Sequence, residues 1–180
     1  QLFGNDSTQS LSKENFLAGF FAALDDKALA SVDSASMYVN TKAEEIRTKA
    51  IEAQYADYKK ENEAFLAENK SKEGVKTTAS GLQYKVITEG KGEVPTAESR
   101  VKVNYKGTLI DGTEFDAREG MTFSAGHVIK GWTEALTMMP VGSKWELYVP
   151  QELAYGSSAT GKIKPFSTLI FEIELLEIEK

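Results

Sequence analysis

Two different spacings of apolar residues divide this chain. From Ser12 to about Lys72 they recur every three or four positions, the period of one helix face. Phe16, Leu17, Phe20, Phe21 and Leu24 make a first short face, with Ser12 as its N-cap. A second stretch runs from near Asp33 to Lys72 without Gly or Pro. In it Val39, Ala43, Ile46, Ala50 and Ala53 form one stripe, and Tyr55, Tyr58, Phe65 and Leu66 continue a neighbouring one. At a rise of about 1.5 Å per residue, such a helix is about 60 Å long. One short helix cannot cover a stripe of that length, which predicts a partner chain or a splayed arm. Leu heptads are not sustained, so a regular coiled coil is not expected.

At Glu73 to Gly81 the composition turns small and polar (EGVKTTASG) and the period changes to two. The expected boundary lies there, with a helical N-terminal domain over 1–74 and a second domain over 75–180. In the second, Leu82, Tyr84 and Val86 alternate with polar neighbours, as do Val101, Val103 and Tyr105, then Trp145, Leu147 and Val149, then Leu169, Phe171, Ile173 and Leu175. Each run reads as a half-buried strand. Asp111-Gly112 signals a hairpin turn, and one short helix fits between Gly131 and Met139. The pattern predicts an α+β fold, an antiparallel sheet with one face covered by a single helix.

Composition narrows the function classes. Twenty-one Lys and Arg against 27 Asp and Glu give a formal charge of −6, which argues against a nucleic-acid partner. No apolar run approaches the roughly 20 residues of a membrane helix. The absence of cysteine excludes disulfides, thiolate catalysis and cysteine zinc sites. Gln1 in place of Met suits a processed export product or a trimmed chain.

The candidate chemistry is correspondingly sparse. His127 is the sole histidine and no G-x-S-x-G elbow occurs, which argues against a Ser-His-Asp hydrolase. Gly90-Lys91-Gly92 is too short for a phosphate loop and runs into Val94-Pro95 rather than a helix. One histidine and scattered carboxylates lack metal-ligand spacing, and no cofactor is expected. What remains is a set of aromatic and aliphatic side chains with one carboxylate among them, Asp116. Tyr155 is singled out by its setting, a tyrosine between Ala154 and Gly156 in a loop of small residues with little core to fill.

The segments VNYKGTL (103–109), DGTEFDA (111–117), VIKGWTEAL (128–136), LAYG (153–156) and STLIFEIELLEI (167–178) resemble, in order, the FKBP-type peptidyl-prolyl isomerases. FLAEN (65–69) and EGVKTTASGLQYKVI (73–87) resemble the two-domain, Mip-like bacterial branch. The resemblance implies a curved antiparallel sheet wrapped around a short helix, with a binding pocket between them. It places Trp132 at the pocket floor and Tyr105, Phe123 and Phe171 in the walls, with Phe115 and Asp116 beside them. Val128 and Ile129 take the rim strand, Tyr155 and Ile163 the closing loop, and Met121 a position where many members carry an aromatic. Tyr105, Asp116 and Phe171 are the expected catalytic positions. Six residues separate Asp116 from Phe123, a shorter connection than the family usually has, and Lys164 precedes Pro165 where the family usually shows two prolines.

The implied activity is rotation about X-Pro bonds of polypeptides. Macrolides of the tacrolimus and rapamycin type are the expected competitors for the pocket. Because isomerisation needs no covalent step, an apolar pocket suffices, and Asp116 has nothing to abstract. Its expected part is to orient, accepting hydrogen bonds from a wall tyrosine or from Arg118. The alternative is a non-catalytic chaperone that holds unfolded clients in the same pocket. The resemblance further implies a homodimer through the N-terminal helices and export to the periplasm or outer membrane, with the cytoplasm as alternative.

Overall fold

A computed structural model describes residues 32–179, with side chains described from Asn40 onward. The face from Phe16 to Leu24 lies outside the described residues. Helix α1 (Val32–Gln54) is followed by α2 (Ala56–Asn69). The long helix expected from the Gly- and Pro-free stretch is thus divided at Tyr55, whose φ of −110° and ψ of 15° leave the helical region. Residues from Glu52 onward form one compact unit, so α2, on the N-terminal side of the composition change, belongs with the sheet.

The seam between α2 and the sheet is polar. Its fully buried side chains are Asn62 and Asn69, and burying an amide group is costly where no hydrogen bond compensates it. Asn69 Nδ2 donates to Gln83 Oε1 at 3.0 Å, and Gln83 Nε2 donates to the Leu66 carbonyl at 2.8 Å. Phe65 adds an aromatic contact to Tyr148, with centroids 6.2 Å apart.

The strands are β1 (Val75–Thr77), β2 (Gln83–Thr88), β3 (Arg100–Leu109), β4 (Glu114–Ser124), β5 (Lys144–Val149) and β6 (Leu169–Glu179). They form one sheet in the order β1-β2-β5-β6-β3-β4, with every pair antiparallel. Three of the period-two faces read from sequence are buried faces, those of Val101 and Val103, of Trp145, Leu147 and Val149, and of Leu169, Phe171, Ile173 and Leu175. In the fourth Leu82 is buried, Tyr84 and Val86 are half-buried, and the polar Gln83 is buried as well. Helix α3 (Lys130–Leu136) covers that face with Gly131, Trp132, Ala135 and Leu136. A Cβ at Gly131 would lie 2.5 Å from Val149 Cγ1, so glycine is what lets the helix approach this closely. The fold is α+β, as the alternation predicts.

The hairpin signal at Asp111-Gly112 also has its physical cause. Asp111 Oδ1 accepts the Thr113 N–H at 2.8 Å, and Gly112 takes a φ of 82°, open to glycine at no steric cost.

Candidate active site

Strands β3, β4 and β6 and helix α3 each turn aromatic rings toward one cavity of about 490 Å³. Trp132, in the first turn of α3, is the hub. It meets Tyr105, Phe171 and Phe123 edge to face, at centroid distances of 5.1, 5.2 and 5.6 Å. Phe115 meets Phe171 in the same way at 5.4 Å. Edge-to-face contacts place the positive rim of one ring on the negative face of another and hold each ring's orientation as well as its position. Gly107 makes room for this: a Cβ there would lie 2.5 Å from Phe115 Cζ and 2.9 Å from Phe171 Cε1.

The sole carboxylate in the lining is Asp116. Tyr105 donates its hydroxyl hydrogen to Asp116 Oδ2 at 2.5 Å, and Arg118 Nε approaches Oδ1 at 3.5 Å. The Tyr105 hydrogen bond holds the Asp116 carboxyl below its ordinary range, and Arg118 adds to the effect. The tyrosine moves the other way. Burial first, and then its bond to the carboxylate, push the Tyr105 hydroxyl up to about 12. The carboxylate is therefore ionised at neutral pH, and its nearest proton is firmly held.

Of the residues expected at the site, Tyr105, Phe115, Asp116, Phe123, Val128, Ile129, Trp132, Tyr155, Ile163 and Phe171 line this one cavity. Met121 does not. It lies on β4 opposite Val103, and the next registered pair is Tyr105 with Arg118, so three residues of β4 cover a two-residue step of β3. Gly120, with a φ of 62°, and its N–H bond to Asn104 Oδ1 at 2.8 Å hold that bulge. The bulge absorbs the short connection between Asp116 and Phe123 within a single strand, and Met121 is left 36% exposed.

The cavity has further walls that the sequence does not mark, namely Thr160, Gly161 and Lys162, and Arg118, expected as a partner of Asp116, lines it too. Thr160 and Ile163 form an isolated antiparallel bridge, and Lys162 Nζ donates to the Glu114 carbonyl at 2.9 Å, tying the closing loop to the start of β4. The small-residue run after Tyr155 announces a loop, but nothing in it indicates which backbone atoms face inward.

The arrangement offers no conventional reactive group. Among the described residues no cluster of three or more His, Asp or Glu could hold a metal ion. The hydrogen bond between Ser124 Oγ and His127 Nδ1, at 3.0 Å, is an exposed turn contact between residues outside the cavity lining. What the site can do is take an apolar ring out of water and hold the chain around it.

Rings converging on one hollow over a short helix in an antiparallel sheet make a cavity with room for an apolar group, and the comparisons with known proteins say which family builds it. The family model described as FKBP-type peptidyl-prolyl cis-trans isomerase matches residues 91–176, and that of the domain amino-terminal to this isomerase matches residues 3–86. The chain is 46% identical over 187 aligned positions to the FKBP-type 22 kDa peptidyl-prolyl cis-trans isomerase of Escherichia coli K12, covering 99% of this chain and 89% of that one. It is 51% identical over 127 positions to the outer membrane protein MIP of Legionella longbeachae, covering 68% of this chain and 54% of that one. The crystal structure of FkpA from Escherichia coli superposes with a TM-score of 0.69 at 37% identity, covering 94% of this chain and 83% of that one. The chain belongs to the FKBP-type peptidyl-prolyl cis-trans isomerase family.

Proposed function

We propose that the aromatic cavity is the active site and that it accelerates X-Pro rotation without covalent chemistry. The observation that carries this reading is a cavity walled by rings whose one carboxylate is already bonded to Tyr105. An X-Pro bond rotates over a barrier of about 20 kcal/mol because amide resonance is lost as it twists. The twisted amide has less charge separation than the planar one. Moving it from water into an apolar cavity therefore raises the planar ground state relative to the transition state. Trp132 forms the floor under the proline ring, with Tyr105, Phe123 and Phe171 as walls. Val128 and Ile129 border the mouth, and Tyr155 and Ile163 close over the chain. Asp116, held ionised, orients Tyr105 and sets the field near the substrate carbonyl.

The test is an isomerisation assay on an X-Pro peptide, with and without tacrolimus or rapamycin. We expect catalysis, competition by the macrolide, and a reduced rate in Asp116→Ala and Phe171→Ala variants that remain folded. If neither substitution slows isomerisation while the protein still assists refolding, the cavity holds clients rather than catalyses.

A holding role has its own support. Ile46 on α1 is 38% exposed, and most of its neighbours from Asn40 to Ala50 are exposed as well. An apolar stripe left open to this extent suits pairing with a second copy, and two cavities on one dimer hold a client by avidity. Residues 1–74 are then the helical region that joins the copies, through its part before Glu52 because α2 packs with the sheet, and 75–180 the isomerase domain. Sedimentation that finds monomer alone at micromolar concentration overturns the dimer. Among the described residues no helix is long and apolar enough to cross a membrane. The name of the Legionella relative favours an exported protein of the periplasm or outer membrane, which cell fractionation decides.

A further inference from the structure

Helix α2 reaches the segment that leads out of the cavity loop into β6. Asn62, 1% exposed, accepts the Thr168 N–H on Oδ1 at 2.7 Å and donates from Nδ2 to the Tyr58 carbonyl at 2.8 Å. The Tyr58 hydroxyl lies 3.1 Å from Ser167 Oγ, which in turn donates to the Lys164 carbonyl at 2.8 Å. Two cation–ring contacts flank these bonds: Lys164 Nζ over the Tyr58 ring at 5.2 Å, and Lys59 Nζ over the Phe166 ring at 5.0 Å.

The residue between these contacts is strained. Phe166, with a φ of 63°, is the one non-glycine residue with positive φ among the described residues. An aromatic residue keeps that conformation only where its surroundings over-determine it. From there its N–H donates to the Gly156 carbonyl at 2.8 Å. That bond closes the neck of the loop bearing Thr160, Gly161, Lys162 and Ile163, with Tyr155 immediately before it.

We propose that α2 is a latch on this loop, and that Asn62 and Tyr58 are positioning residues for the isomerase reaction. An apolar seam would hold the helix against the sheet equally well. It would leave the register loose, because dispersion contacts tolerate a small slide and a buried amide does not. Asn62 bonds helix and neck through one side chain, so loss of its acceptor leaves the Thr168 N–H buried without a partner. The neck then relaxes out of the strained turn at Phe166, and the loop over the cavity loses its fixed position. Trp132, Tyr105 and Phe171 are held by α3 and the central strands and stay where they are. The latch therefore governs how firmly a substrate is covered, and the floor beneath it is unchanged.

The reaction part of this proposal rests on the cavity being the substrate site; the loop part does not. The experiment uses the full chain as wild type, Asn62→Ala and Tyr58→Phe, at a temperature where circular dichroism shows all three folded. It reads KM and kcat on an X-Pro peptide, together with amide hydrogen exchange of residues 156–163 against residues 101–105. Losing one buried hydrogen bond corresponds to roughly a five-fold change in an equilibrium. Asn62→Ala should therefore raise KM by about that factor, leave kcat nearly unchanged, and speed exchange in the loop but not in β3. Tyr58→Phe should move the same readouts in the same direction by less, and it decides the matter if Asn62→Ala does not fold. Wild-type KM and loop exchange in both variants, with only the melting temperature lowered, would reduce the contacts to packing and overturn the proposal. A wild-type protein with no isomerase activity sinks the proposed reaction, and the exchange data then decide the latch alone.

Discussion

The floor of the cavity and its rim are built on opposite plans. The floor is Trp132 with three rings against it edge to face, carried by α3 and by β3, β4 and β6, and Trp132 and Phe171 are buried. The rim is a loop of small residues tied down by single contacts, such as Lys162 to the Glu114 carbonyl and Thr160 to Ile163, with Tyr155 left 40% exposed. In the floor the same atoms hold the domain together and line the cavity, so a change there alters cavity shape and stability at once. In the rim they come apart.

That contrast can be broken at its strongest point. Trp132→Ala removes the hub ring and should lower unfolding stability by about 3–5 kcal/mol, as large-to-small core changes do, and abolish catalysis with it. A urea titration followed by circular dichroism measures the first. Gly107→Ala should cost about 1–3 kcal/mol by overpacking, because its Cβ collides with Phe115 and Phe171. Its rate loss should exceed its stability loss, since the displaced rings are cavity walls; the same titration beside the peptide assay compares them.

Tyr105→Phe tests the polar edge of the floor. The lost hydrogen bond should cost about 0.5–1.5 kcal/mol, toward the low end because the Asp116 side chain is 43% exposed and screened by water. Its signature is in pH. The raised Tyr105 value means its contribution is complete below about pH 10, the ordinary tyrosine value, and is lost as pH rises to about 12. The lowered Asp116 value means a contribution complete above the ordinary carboxylate range and lost as pH falls through the depressed value. Stability measured against pH in the variant should lack the first and show the second only weakened, since Arg118 still faces the carboxylate. At the rim, Tyr155→Ala should change stability by no more than about 0.5 kcal/mol while raising KM several-fold. A stability loss as large as that of Gly107→Ala would erase the distinction between floor and rim.

The same contrast governs what could be read from the chain. Val101, Val103, Leu147, Ile173 and Leu175 announce themselves because a strand with one buried face must alternate. The rings of the floor follow, standing on those strands and on one short helix in a recognisable order. Met121 escapes because alternation does carry it to the face of Phe123, two unbroken register steps away, but a shared face does not say which of its members reach the cavity, and Met121 stays outside the lining. The break at Tyr55 escapes for a related reason. No Gly or Pro marks it, and the bonds of Asn62, Asn69 and Gln83 to distant partners show that α2 is held by tertiary packing. Thr160, Gly161 and Lys162 are invisible because a loop's inward side depends on how its neck is pinned.

Strand β6 stands between β5 and β3, and it is the last of the described strands along the chain. Without it the sheet falls into two unconnected pieces, β1-β2-β5 and β3-β4, and Phe171 is missing from the cavity. During synthesis these pieces must wait, unjoined, until residues 169–179 have emerged. Pairing across such separations is entropically slow. Until then the chain is an incomplete sheet whose β5 and β3 edges stand open, and the cavity exists only once the last strand has joined them.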